Sequence, residues 1–69
     1  MKLSARNQID ATVTAITLGE AIANVDMDAG GVRLVASITV EAARELGLAE
    51  GARVLAVVKA SDVIVAIPD

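Results

Sequence analysis

The sequence predicts a small all-β domain with one short helix, its elements in the order β-β-β-α-β-β. Three observations support this. Apolar residues recur at a period of two through most of the chain, the pattern of strands that bury one face. One stretch, from Thr39 to Gly47, changes to three-residue apolar spacing, as a helix requires. Glycines punctuate the alternating runs at Gly19, Gly30-Gly31 and Gly51, where turns need them.

In the first strand Ile9, Ala11, Val13 and Ala15 alternate with Asp10, Thr12 and Thr14. The apolar phase switches at Ile16 and Leu18, which predicts either a bulge or a strand that leaves one environment for another, and Gly19-Glu20 then turns the chain. On the second strand Ala21, Ala23, Val25 and Met27 share one face, and Ile22, Asn24, Asp26 and Asp28 the other. Ala29-Gly30-Gly31 supplies the positive-φ positions of a hairpin. Val32, Leu34, Ala36 and Ile38 mark the third strand. Thr39 is placed to cap a helix with apolar positions Val40, Ala43 and Leu46, acidic Glu41 in its first turn and Gly47 closing it. After a turn at Glu50-Gly51, Val54, Ala56 and Val58 alternate with Leu55, Val57 and Lys59, and a last strand is expected from Val63 to Ile67. Both faces of these last strands are apolar. That suits strands covered on one side by the domain interior and on the other by a second subunit. Five strands with one helix between the third and fourth is the connectivity of a five-stranded OB-type barrel.

A chain of 69 residues without repeat or linker reads as a single domain, 1–69. It has no cysteine, so neither disulfides nor a thiolate metal site can stabilise a core that is marginal at this size. The hydrophobic fraction of 55% contains no aromatic residue and exceeds what so small a domain buries alone, so self-association is expected. No apolar run is long enough to span a membrane and no cleavable leader precedes the domain, so the expected location is the cytoplasm.

Six basic against nine acidic residues give a net charge of −3, which disfavours DNA, RNA or anionic lipid as partners. Without Phe, Tyr or Trp there is no base-stacking platform, a contact worth about 1–3 kcal/mol per base. No nucleic-acid or membrane partner is therefore expected. The chain also lacks His and Tyr, and its carboxylates, hydroxyls and lysines show no pairing by spacing, so no catalytic residue and no cation site is expected.

Two stretches have no explanation in burial. Ser4-Ala5-Arg6-Asn7-Gln8 sets a hydroxyl, a guanidinium and two amides side by side before the first strand, a dense donor set suited to an oxyanion. Lys59-Ala60-Ser61-Asp62-Val63 adds an ammonium and a second hydroxyl. Taken singly, the first would be a solvated terminus and Lys59 a charge guarding a strand edge. Together, and at this separation, the two motifs resemble those of the molbindins, small molybdate-binding proteins. The module is similar to the repeated domain of molybdate-responsive regulators and of molybdate transporter ATPase subunits.

The resemblance covers nearly the whole chain. It implies an OB fold, storage or buffering of molybdate without chemical transformation, and a homohexamer. It implies ligand contacts from Ser4, Ala5, Arg6 and Asn7 and from Lys59, Ala60 and Ser61. Thr39 is a further implied contact, with Ser37 and Gly19 as additional candidates, although Ala42 stands where another hydroxyl donor aligns. Molybdate is a tetrahedral dianion with no proton to give, so its site should present donors alone: the Arg6 fork, the Lys59 ammonium, serine hydroxyls and backbone N–H groups. Asp62 would repel such a ligand and is expected to bond local backbone in a turn. Tungstate shares the charge and shape of molybdate and is an equal candidate. The two motifs are expected to meet between chains. The alternative reading is a sensing or structural assembly module whose ligand controls association.

Overall fold

The computed structural model describes all of residues 1–69. Its strands are β1 (Asn7–Leu18), β2 (Ile22–Ala29), β3 (Val32–Thr39) and β4 (Arg53–Val58), with helix α1 (Val40–Glu45) between β3 and β4. A one-turn 3-10 segment, Ala60–Asp62, follows β4. The strands form one antiparallel sheet in the order β3-β2-β1-β4, leaving β3 and β4 as its edges.

β1 is central because it pairs on both sides, with β2 and with β4. Ala11 and Val13 point into the core beside Val25 and Met27 of β2. The register of β1 on β2 shifts between Val13 and Ala15, so the bulge falls at Thr14, ahead of the phase change at Ile16 that the sequence pattern displays. One extra residue there rotates all that follows: Ala15 lands opposite Asp26 on the outer row, and Ile16 packs against the core. The next turn is tight. Gly19 N–H donates to the Ile22 carbonyl at 2.8 Å, and a Cβ at position 19 would stand 2.9 Å from that same oxygen. The β2–β3 hairpin turns through Gly30 and Gly31, at φ 62° and 91°, and Asp28 Oδ1 accepts the Gly31 N–H at 3.0 Å.

α1 begins as the sequence predicts. Thr39 Oγ1 accepts the Ala42 N–H at 3.0 Å, and Val40 N–H donates to the Ala21 carbonyl at 2.8 Å, docking the helix on the β1–β2 turn. It ends in a Schellman motif: Leu48 N–H donates to Ala43 O at 3.1 Å and Gly47 N–H to Arg44 O at 3.0 Å. Val40 and Ala43 close a second small cluster over Ala23. Leu46, expected on the buried face, is 69% exposed, because it is the C-cap residue and lies past the last helical turn.

The C-terminal end differs most from expectation. No fifth strand forms: beyond the 3-10 segment the chain is irregular, with Ile64, Val65 and Ile67 each about nine-tenths exposed. The OB-type barrel is therefore not closed within one chain. A strand needs a hydrogen-bonding neighbour, and Val63–Ile67 has none here. Between the edge strands lies an apolar groove of about 330 Å³, lined by Leu34, Ala36 and Ile38 of β3, Val54, Ala56 and Val58 of β4, and Leu46. The chain exposes 5517 Å², against about 4,000 Å² for a typical folded monomer of its mass. Its radius of gyration, 13.0 Å, likewise exceeds the roughly 11 Å of a compact chain this long.

Gly19→Ala should destabilise the fold by about 1–3 kcal/mol, since the added methyl meets a backbone carbonyl that cannot move without breaking the turn. Urea unfolding checks this; an unchanged midpoint would show that the turn has room.

Candidate functional site

The pairing of β1 with β4 positions both donor motifs. Its register runs from Thr12↔Arg53 to Asn7↔Val58. One step past the last pair stand Arg6 and Lys59; beyond them the ladder ends, with Ser4-Ala5 preceding β1 and Ala60–Asp62 turning into the 3-10 segment. The two motifs thus leave the sheet side by side, from the same end of neighbouring strands in one chain. The meeting expected between chains is already prepared within each of them.

Ser4, Arg6, Lys59, Ala60 and Ser61 are exposed, while Ala5 and Asn7 are half-buried. The only ion pair of the chain joins Arg33 to Asp26 on the outer face, so Arg6 and Lys59 have no carboxylate partner. Each directly follows or precedes a paired position, so two like charges are brought to neighbouring stretches of chain, where they repel. An anion held between them replaces that repulsion with two attractions.

The backbone sorts its polar groups in the same sense. Gln8 Nε2 donates to the Ala5 carbonyl at 3.0 Å. Asp62 N–H donates to the Lys59 carbonyl at 2.9 Å, and Val63 N–H to the Ala60 carbonyl at 3.3 Å. The N–H groups of Ala5, Arg6, Ala60 and Ser61 donate to no backbone carbonyl. The carbonyls of Ala5, Lys59 and Ala60 are thus each engaged while these four N–H groups are open, donors that can receive an anion. Asp62 serves the turn through its N–H; its exposed carboxylate makes none of the side-chain hydrogen bonds, contrary to the bond expected of it.

Gly19, Ser37 and Thr39 gather at the opposite end of the sheet, where Thr39 pairs with Ile22 and Ser37 with Asn24. β1 separates them from the donor motifs by twelve residues, roughly 35 Å of strand, so one chain cannot bring both groups to one ligand. Each also has a structural partner. The Gly19 N–H is taken by Ile22 O, the Ser37 hydroxyl bonds Asn24 Oδ1 at 2.6 Å, and Thr39 Oγ1 caps the helix. The adjacent depression carries Glu20, Glu41 and Glu45 against Arg44 alone, a poor field for a dianion. The other polar depression, with Asp10, Asp28 and Arg53, has the same defect. No cavity of the single chain includes Ser4–Arg6 or Lys59–Ser61, so the donor patch lacks walls of its own. Sequence reasoning missed the Gln8–Ala5 bond and the 3-10 segment. Gln8 lay inside the first motif, but only the folded turn shows what it touches.

Comparison with known proteins agrees with this architecture. Residues 3–65 match the TOBE domain. The chain is 39% identical over 66 residues to molybdenum-pterin-binding protein 2 of Clostridium pasteurianum, covering 94% of this chain and 97% of that protein. Among solved structures it is similar to a molybdate-binding protein from Sporomusa ovata, with 42% identity, a TM-score of 0.93, and coverage of 97% of this chain and 100% of that one. It is also similar to the cytoplasmic molybdate-binding protein ModG with molybdate bound, at 51% identity and a TM-score of 0.83, over 87% of this chain and 43% of that one. With a family match and full-length relatives in agreement, the chain belongs to the TOBE domain family, in its molbindin form.

Proposed function

We propose that this protein binds molybdate as a free oxyanion, without transforming it, where Ser4-Ala5-Arg6-Asn7 and Lys59-Ala60-Ser61 leave the β1–β4 pair. The observation that carries this reading is the set of donors gathered there: two unpartnered cations, two exposed hydroxyls and open N–H groups, with the Ala5, Lys59 and Ala60 carbonyls each engaged in a bond of the chain. Arg6 offers a planar fork and Lys59 a compact charge to a tetrahedral dianion. Tungstate satisfies the same donors. The relatives named above for molybdate or molybdenum-pterin support the assignment. A pterin ring finds no aromatic side chain to stack on here, which favours the bare oxyanion as the ligand. The role is that of a cytoplasmic store or buffer, residues 1–69 acting as one domain, with no catalytic residue.

The working form is a homo-oligomer, for which the resemblance implies six copies. Its support lies in the groove between β3 and β4 and in the apolar segment Val63–Ile67 that stands clear of the chain. The surplus of about 1,500 Å² over a compact monomer exceeds the roughly 800 Å² that each partner commits to a standard stable interface. The segment of one copy, seated in the groove of another, supplies the missing neighbour for both. The segment starts at Val63, whose N–H already bonds within the second motif, so subunit contact there also walls the donor patch. That proximity favours a second reading, in which the anion chiefly governs assembly. Molybdenum analysis of the native protein separates the two: a store carries several atoms per assembly, an assembly switch few or none.

Calorimetric titration with molybdate tests the site. Arg6→Ala or Lys59→Ala should weaken binding by roughly 3–5 kcal/mol, the scale of breaking an ion pair that subunit contact buries. Ser61→Ala should cost about 1.5–3 kcal/mol, and Arg44→Ala, on the exposed helix, almost nothing. Equal losses from Arg6→Ala and Arg44→Ala at physiological salt would reduce the site to a diffuse field. Sedimentation equilibrium tests the assembly: a chain ending at Asp62 should form a smaller species than the full chain. If its assembly is unchanged, the interface lies elsewhere.

A further inference from the structure

Asp62 is the member of the second motif for which the proposed site has no use. Its carboxylate makes none of the side-chain hydrogen bonds and has the wrong charge for an oxyanion. Its backbone, however, lies where the chain chooses a direction. β4 ends at Val58, the apolar segment starts at Val63, and only the four residues Lys59-Ala60-Ser61-Asp62 separate them. Antiparallel neighbours are joined by loops of roughly two to five residues. β4 is an edge strand, and the groove beside it is open. Length therefore permits the segment to fold back onto the free edge of its own β4. It stands clear instead, with Ile64, Val65 and Ile67 each about nine-tenths exposed.

The cause lies in the conformation of the link. A short hairpin loop built on a type I turn brings the chain back with a left-handed residue after the turn. Here the first bond of such a turn is present, from Asp62 N–H to Lys59 O at 2.9 Å, but a second follows it, from Val63 N–H to Ala60 O at 3.3 Å. The two bonds draw Asp62 into the 3-10 segment. No residue of the link has positive φ, and Val63 leaves it extended, at φ −87° and ψ 123°. The β2–β3 hairpin shows the contrast, reversing through Gly30 and Gly31 in the positive region.

We propose that Asp62 is a hinge residue: by staying in the right-handed region it keeps the C-terminal segment out of its own chain's groove and so commits it to a second copy. This rests on the seating of the segment in another copy's groove, proposed above. Within one chain, segment and groove would meet at an effective concentration of about a millimolar. At micromolar protein, self-closure would then prevail over exchange by roughly a thousandfold if the link allowed it. The hinge thus turns what could be a self-contained barrel into an open subunit, the condition for exchanging a segment between copies.

Sedimentation equilibrium of the full chain at micromolar concentration tests this, together with urea unfolding at several protein concentrations. Asp62→Gly permits the left-handed position and should convert the assembly into a monomer whose unfolding midpoint no longer rises with protein concentration. Asp62→Ala removes the same carboxylate but keeps the right-handed preference, and should assemble as the wild type does. An insertion of about six glycines and serines between Asp62 and Val63 frees the segment by length. It should also give a monomer, so the test holds if Asp62→Gly folds poorly. Amide hydrogen exchange separates closure from simple loss of contact: in either monomer the Val63–Ile67 amides should be protected. Assembly of both variants like the wild type would overturn the inference, as would monomers with those amides unprotected, or an Asp62→Ala chain as monomeric as Asp62→Gly. A wild-type chain that stays monomeric, or that assembles equally well when it ends at Asp62, overturns the seating of the segment itself and the hinge with it.

Discussion

Pairing between β1 and β4, in a register that ends at Asn7↔Val58, decides where every donor of the proposed site stands. That register is set by the core rather than by the site. Ala11 faces inward opposite Val54, with Ala56 packed against the same core, and two bonds of the preceding loop fix it, Val13 N–H to Ala52 O at 2.9 Å and Gly51 N–H to Val13 O at 2.8 Å. A slip of one residue would turn each inward side chain of β4 outward and would part Arg6 from Lys59 at the strand ends. The two cations of the proposed site are placed at neighbouring strand ends by aliphatic packing some distance away. Mutations in that packing can therefore reach ligand binding without touching a donor.

The second constraint is size. A core of Ala, Val and one Met in a chain of 69 residues covers little area, and the sheet it supports has two open edges. Exposed backbone and an apolar groove invite pairing with another chain. In this protein the segment best suited to that pairing begins where the second donor motif ends. In the proposed reading, ligand and assembly consequently share a boundary. An anion that binds only the assembled form stabilises it by mass action, by about 2.7 kcal/mol per site at 100 times its dissociation constant.

Much of this was legible in the sequence because it depends on neighbours along the chain. The four paired strands followed from alternation, the hairpin from Gly30-Gly31, and the helix from Thr39 at one end and Gly47 at the other. What could not be read depends on atoms far away or absent. The alternation at Val63–Ile67 marks residues fit to be covered, but not whose atoms cover them, so a fifth strand was expected where one chain offers it no partner. The bulge at Thr14 was displaced because only the cross-strand register locates the extra residue. The two donor motifs were recognisable as residue types, yet their adjacency within one chain follows from a pairing that no local pattern states. The separation of Gly19, Ser37 and Thr39 from them was hidden for the same reason.

The most direct test of the central claim is the anomalous signal of molybdenum in crystals of the protein grown with molybdate. The expected result is a peak bounded by the Arg6 guanidinium and the Lys59 ammonium, with backbone N–H groups of both motifs turned toward it and residues of a neighbouring copy closing its open side. A molybdenum peak confined to the far end of the sheet, near Gly19, Ser37 and Thr39, with Arg6 and Lys59 left in solvent, would contradict the account.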